Sequence, residues 1–436
     1  MEKINVFWFR RDLRVHDNAG LYYALKSGLP VLPVFFFDTN ILNELEEKKD
    51  KRVEFIRDSL IDIQEELKQM KSGLRVFYGT PGQSIQQLTS EFDIKAVFTN
   101  HDYERYAIER DTAIKKLLEE KSIEFKTFKD QVIFEKDEIL KDDGRPYTIF
   151  TPYSKKWKNT LTDFYIKQYP CQNYFENFFK HSAIRIPSLS SMGFQESNQE
   201  IPSSTLPDER MRSYNSTRDY PGVEGGTSRL GIHLRFGTVS IREQVAKAKK
   251  LNQTFLNELI WREFYMSILW HFPHVGKHKA FKPPYDNIEW RNDEGEFKRW
   301  CQGQTGFPIV DAGMRQLNET GFMHNRVRMI TGSFLCKDLL IDWRWGEAYF
   351  AQKLLDYDFA ANNGGWQWVA GSGCDAAPYF RIFNPELQTK KFDKDLKYIK
   401  KWVPEFQEFT YPKPIVDHSE ARERCLAAYK KALDAA

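Results

Sequence analysis

The chain has 436 residues, enough for two domains with sizeable cores. An apolar content of 41% excludes a largely disordered protein, while a net charge of +3 is too small to announce a polyanionic partner by itself. No stretch approaches the roughly 18 uninterrupted apolar residues of a membrane helix. Met1-Glu2-Lys3 does not open a secretory leader, so a cytoplasmic protein is expected.

Five cysteines (Cys171, Cys301, Cys336, Cys374, Cys425) are scattered and lack CxxC spacing, which reads as free buried thiols in a reducing compartment. The 11 Trp, 20 Tyr and 34 Phe make 15% of the chain, so core packing leaves indoles over for stacking surfaces and electron paths.

Short β-rich runs fall at 4–9, 31–37, 75–78, 96–99 and 124–128, with amphipathic helical segments such as 51–70 and 105–121 between them. That alternation predicts an α/β domain with a doubly wound parallel sheet over 1–130. Arg10-Arg11-Asp12-Leu13-Arg14 follows the first strand where a GxGxxG turn would stand, which disfavours a dinucleotide-gripping site. The pattern dissolves over 131–207, where a Ser-rich piece lies among Pro187, Pro202 and Pro207, and a long interdomain connector is expected. Helical periodicity then dominates, with helices predicted over 255–269, 307–317, 325–340 and 345–355. The segment 208–436 is accordingly an all-α domain.

Four stretches carry chemistry. In Thr227-Ser228-Arg229-Leu230-Gly231, hydroxyls and amides in a glycine-rich turn before a helix can hold a pyrophosphate without a P-loop. Taken alone, a helix cap with a surface arginine fits it better. Glu258, Trp261, Arg262 and Tyr265 stand at i, i+3, i+4 and i+7, on one helical face. Taken alone, an amphipathic helix edge fits them better. Met323-His324-Asn325-Arg326-Val327-Arg328-Met329 interleaves cations with polar and apolar residues. Asn362-Asn363-Gly364-Gly365-Trp366-Gln367-Trp368, running on through Asp375 to Pro385, is too irregular for plain core. Its glycines admit a flat ligand and its indoles can stack on one.

Together these stretches resemble the photolyase/cryptochrome family, nearest to its class I cyclobutane pyrimidine dimer photolyases, over almost the whole chain. The resemblance implies that the helical domain binds FAD. The cofactor contacts would fall on Tyr214, Thr227, Ser228, Arg229, Leu230, Gly231, Arg262, Arg328, Asp356, Asp358 and Asn362. Arg328 and Asp356 match an ion pair beside the flavin ring, and Asn362 matches the residue facing flavin N5. Gly225-Gly226 departs from the family's commoner single glycine.

The resemblance further implies UV-damaged DNA as partner. Lesion and DNA contacts would come from Arg218, Glu258, Trp261, Tyr265, Asn325, Arg326, Trp368 and Gln388, with Glu258, Asn325, Met329 and Asn362 as the catalytic set. Asn325 and Met329 match the cyclobutane class; (6-4) photolyases have two histidines there. The basic run Lys390, Lys391, Lys394, Lys397, Lys400 and Lys401 fits phosphate contacts and a solvated helix equally well.

Trp366, Trp343 and Trp300 match a chain of three indoles from flavin to surface. Arg52, Asp102 and Glu104 resemble an antenna site, favouring a deazaflavin or flavin over methenyltetrahydrofolate because Tyr106-Ala107 stands where folate binders place Glu. His271, His274 and His278 suggest a metal, but Pro273 breaks their helical face and no metal is expected. The expected activity is light-driven dimer repair by a monomer with no obligate protein partner. The alternatives are a cryptochrome-type blue-light receptor, against which the short segment after Pro385 argues, and a (6-4) photolyase.

Overall fold

A computed structural model describes residues 2–435. The chain divides into two compact units: one made of the chain up to Glu135 with Thr160–Ser204 and Ile232–Lys247, the other of Lys136–Asn159, Thr205–Gly231 and the chain from Ala248 on.

The first unit is built on a five-stranded sheet of β1 (Lys3–Phe9), β2 (Val31–Asp38), β3 (Arg75–Gly79), β4 (Asp93–Asn100) and β5 (Glu124–Phe128), ordered β3-β2-β1-β4-β5. Every pairing is parallel. Helices α1 (Ala19–Lys26), α2 (Lys51–Gln69), α3 (Pro81–Glu91) and α4 (Arg105–Glu119) make the crossovers. Alternate residues of β1 feed two cores: Phe7 and Phe9 join Leu21, Leu60 and Leu67, while Val6 and Trp8 join Ile85 and Leu118. A strand covered on both faces reads as a near-continuous apolar run, and all eight residues of β2 are buried, with Asp38 alone polar at its end.

The segment read from sequence as a connector, 131–207, is divided between the units. Asp17 explains why Thr160–Ser204 and Ile232–Lys247 belong with the sheet. It accepts from the Tyr169 N–H (2.8 Å) and the Ser240 hydroxyl, and pairs with Arg242 (2.8 Å). Arg242 also reaches Asp130 (2.7 Å), and Asp130 in turn holds Arg14 (2.7 Å). These groups are buried, and burial alone would raise the Asp130 carboxyl; Arg14 and Arg242 outweigh it and hold that carboxyl below its ordinary value.

The second unit is helical. Its main elements are α5 (Gln253–His271), α6 (Pro308–Thr320), α7 (Asn325–Ser333), α8 (Trp343–Lys353), α9 (Phe359–Ala370), α10 (Pro385–Phe392), α11 (Lys397–Trp402) and α12 (His418–Asp434). The helix expected over 325–340 stops at Ser333 and continues as a π-helical turn, Phe334–Asp338. The helix expected over 345–355 starts earlier because Asp342 caps it, accepting from the Arg344 N–H (3.0 Å). Among the described residues no helix is long and apolar enough to cross a membrane.

Candidate active site

A cavity of about 430 Å³ opens within the helical unit. Helix α5 supplies one wall. Asn252 caps it by accepting from the Thr254 and Phe255 N–H groups (2.9 and 3.0 Å), which fixes its start. Its buried side carries Leu256, Leu259, Ile260 and Glu263, and the expected stripe of Glu258, Trp261, Arg262 and Tyr265 faces the cavity. The Trp261 ring stacks on Phe150 (3.7 Å, 4°) and leans on Tyr265 (5.5 Å). Glu258 pairs with Arg218. Burial pushes the Glu258 carboxyl above its ordinary range while Arg218 pulls it back.

Helix α9 supplies the opposite wall with Asn362, Gly365, Trp366 and Trp368. A Cβ on Gly364 would stand 2.2 Å from the Tyr265 ring, so the glycine lets α9 lie directly against α5; one on Gly365 would meet nothing within 4 Å, on the open side. The Asn362 amide donates to the Glu347 carbonyl (3.1 Å) and Glu347 Oε1 (3.0 Å), which leaves Asn362 Oδ1 as an acceptor for the cavity. Asp358 caps α9 by accepting from the Ala361 N–H (3.2 Å) and also lines the cavity.

Helix α7 brings Asn325, Arg328 and Met329 to the same space. Arg328 forms a two-oxygen pair with Asp356 (2.9 and 3.1 Å) and donates from Nε to the Met323 carbonyl (2.7 Å). His324 caps α7 by accepting the Arg326 N–H at Nδ1 (3.1 Å). Burial, with Arg328 nearby, brings the His324 imidazole down to about 4.

Other expected site residues stand outside the cavity lining. The Thr227–Gly231 turn abuts it through Gly231, where a Cβ would lie 2.6 Å from Asp356. Arg229 adopts the left-handed region (φ 53°) with its guanidinium 4.3 Å over Phe322. Tyr214 is buried edge-on against Phe255 (5.1 Å). Arg218, by contrast, lines the cavity, whereas Arg326 does not; both are expected to meet phosphates and both are ion-paired, Arg218 with Glu258 and Arg326 with Asp219 (2.7 Å). Gln388 lies half-buried on α10, and the six lysines of 390–401 are exposed.

The indoles require one correction. Trp366 and Trp300 are in ring contact (6.1 Å), and Trp343 belongs to the same apolar cluster. Trp300, however, is fully buried, with its N–H on the Thr331 carbonyl (3.1 Å), so it is no surface terminus. Trp290 is half-buried against that cluster, beside the segment that leads into Trp343: the Arg291 N–H reaches the Leu340 carbonyl (2.8 Å) and the Asp342 N–H reaches Asn292 Oδ1 (2.9 Å). The sequence held a signal for it, since Trp290 stands among Glu289, Arg291, Asn292 and Asp293, whereas Trp300 sits on a helical stripe with Phe297.

In the α/β unit, Asp102 and Glu104 both pair with Arg11 (3.2 and 3.0 Å), and Arg52 pairs with Asp50 (2.9 Å). Burial raises the Asp102 carboxyl, but Arg11, Arg235, Arg10 and Arg110 outweigh it and hold it at about 2. Among the described residues no three His, Cys, Asp or Glu side chains are grouped to hold a metal.

The family model for the FAD binding domain of DNA photolyase matches residues 255–410, and the DNA photolyase model matches 5–172. The deoxyribodipyrimidine photo-lyase of Halobacterium salinarum is 36% identical, with 98% of this chain and 99% of that protein covered. The chain belongs to the DNA photolyase family. Among solved structures, a class III photolyase from Agrobacterium tumefaciens superposes with a TM-score of 0.88 at 32% identity, covering 100% of this chain and 98% of that one. The photolyase of Sulfolobus tokodaii, described with two FAD molecules, superposes with a TM-score of 0.83 at 34% identity, covering 99% of this chain and 100% of that one. The family's FAD fits the cavity of this photolyase-family chain: Gly365 leaves one wall open to a flat ring, Asn362 Oδ1 offers an acceptor, and the Arg328–Asp356 pair places charge beside them.

Proposed function

We propose that this chain splits cyclobutane pyrimidine dimers in DNA under blue light. Reduced FAD, when bound, would supply the photoexcited electron. The chain's own residues bind and orient the lesion. Trp261 offers a ring face already set by Phe150, and stacking on an extruded base contributes about 1–3 kcal/mol. Glu258 offers carboxylate oxygens to the dimer's polar edge. Arg218 and Arg326 can pass part of their pairing from Glu258 and Asp219 to DNA phosphates. A dimer inside the duplex stack cannot reach a buried cavity, so the lesion would be extruded from the stack, as enzymes that do chemistry on a base extrude their target.

One observation carries the choice of lesion. The wall at α7 presents Asn325 and Met329, and its one histidine, His324, is buried, holds its Nδ1 on the Arg326 N–H, and stays neutral at ordinary pH. No imidazolium is thus available there as the proton donor that (6-4) chemistry needs. The test is repair by purified protein under blue light. Cyclobutane-dimer DNA should be restored and (6-4) DNA left intact; the reverse outcome would refute the assignment.

Electron supply to the site is assigned to Trp366, Trp343 and, at the outer end, Trp290. A second chromophore of flavin or deazaflavin type is assigned to the α/β unit near Asp102 and Glu104, supported by the two FAD molecules of the Sulfolobus tokodaii protein. Extraction and chromatography of the chromophores of the purified protein would identify it.

A further inference from the structure

The π-helical turn Phe334–Asp338 is buried along its whole length, and turns of this kind often mark function. Its Lys337 is 1% exposed. The ammonium donates to the carbonyls of Ala370 (3.1 Å) and Tyr379 (3.2 Å) and lies 3.8 Å over the Tyr429 ring. Tyr429, on α12, donates its hydroxyl to the same Ala370 carbonyl (2.9 Å). Among the described residues no carboxylate pairs with Lys337. The titratable groups that face it are Cys336 on its own turn and Cys425 and Tyr429 on α12. Ala370 is the last residue of α9, which carries Asn362, Gly365, Trp366 and Trp368 to the cavity. The cation therefore sits on the negative end of the pocket helix.

We propose that Lys337 is a positioning residue of the cavity: its buried charge, with the Tyr429 hydroxyl, fixes the end of α9 and is retained although it lowers the stability of the fold. The proposal rests on reading the cavity as the cofactor and lesion site. Burial brings the lysine down to about 8, below its ordinary value. Between about pH 8 and the unfolded lysine value of about 10.4 the unfolded chain holds a proton that the folded chain lacks, so stability rises with pH across that window. Among the described residues Lys337 has no carboxylate partner, so replacing it by an apolar side chain of similar shape strands no opposite charge and removes the desolvation cost of the ammonium. A lysine present only to hold the fold together would show the opposite.

The test is Lys337→Met. Its melting temperature at pH 7 should equal or exceed the parent's, and the parent's rise in stability between pH 8 and 10 should flatten. The amides of Gly371 and Gly373, which close the end of α9 on the Trp368 and Gln367 carbonyls, should exchange several-fold faster. FAD should leave the purified holoprotein several-fold faster. Tyr429→Phe keeps the cation, so it should loosen the same amides less and leave the pH window unchanged. A Lys337→Met protein that melts lower, fails to fold, or keeps the parent's exchange at Gly371 and Gly373 overturns the proposal. A parent that binds no FAD removes the cofactor reading of the cavity, while the melting and exchange measurements still decide the role of Lys337.

Discussion

Which way a side-chain amide faces follows from what lies behind it. Both groups of Glu347 near Asn362 are acceptors, so the amide nitrogen must turn to them and the oxygen to the cavity. Burial raises the Glu347 carboxyl to about 6, with the Asn362 bond pulling it down. Because the folded value lies above the unfolded one, this group's contribution to stability is fully present below about pH 4.5 and lost as pH rises through about 6. The difference is about 2 kcal/mol. Glu347→Gln should therefore melt higher than the parent at pH 7, and that advantage should vanish near pH 4.5; melting curves across pH 4–8 decide it. Glu258 is the contrasting case, a cavity-lining carboxyl with Arg218 on it. Glu258→Ala should lower the repair yield several-fold with FAD still bound. Flavin loss with normal yield per remaining flavin would remove Glu258 from the lesion face.

The stripe on α5 was legible in the sequence because a helix of fixed period converts spacing into direction. Contact between helices was not: nothing local in Gly364-Gly365 says which glycine meets α5 and which faces open space. Gly364→Ala would push a methyl into Tyr265, at a cost of about 1–3 kcal/mol. Gly365→Ala should leave the melting temperature near the parent's while weakening FAD binding. Equal melting loss in both variants would contradict the packing described for α9. Trp300 and Trp290 show the same limit, since helical context separates a buried indole from a half-buried one, whereas sequence similarity carries no burial. Trp290→Phe should slow photoreduction under blue light and an external reductant at least several-fold, whereas repair by chemically reduced protein should stay near the parent rate. If photoreduction is unchanged, the outer end of the electron path lies elsewhere.

At the scale of the molecule, strand and helix periodicity revealed an α/β part and a helical part, because those patterns are local. The path of the chain between them was not legible, because it is fixed by polar groups far apart in sequence that meet only after folding. Asp17, Asp130, Tyr169, Ser240 and Arg242 look unremarkable where they stand, yet their buried contacts assign three separate segments to one unit. Arg242 is central, since it is the cation between two buried carboxylates and its guanidinium also lies 5.0 Å over Tyr169. Removing one partner of such a network leaves uncompensated charge and destabilises by about 3–5 kcal/mol. Arg242→Met should thus lower the denaturation midpoint of the α/β unit strongly and expose 160–204 to limited proteolysis. Substituting Asp17 by Asn in the same background should recover part of the loss, because that carboxylate is then no longer left without a cation, while Asp130 keeps Arg14 (2.7 Å). A single Arg242→Met variant as stable as the parent would mean that the ion pairs do not hold the returning segment, and that apolar contacts such as Phe236 against Phe55 do.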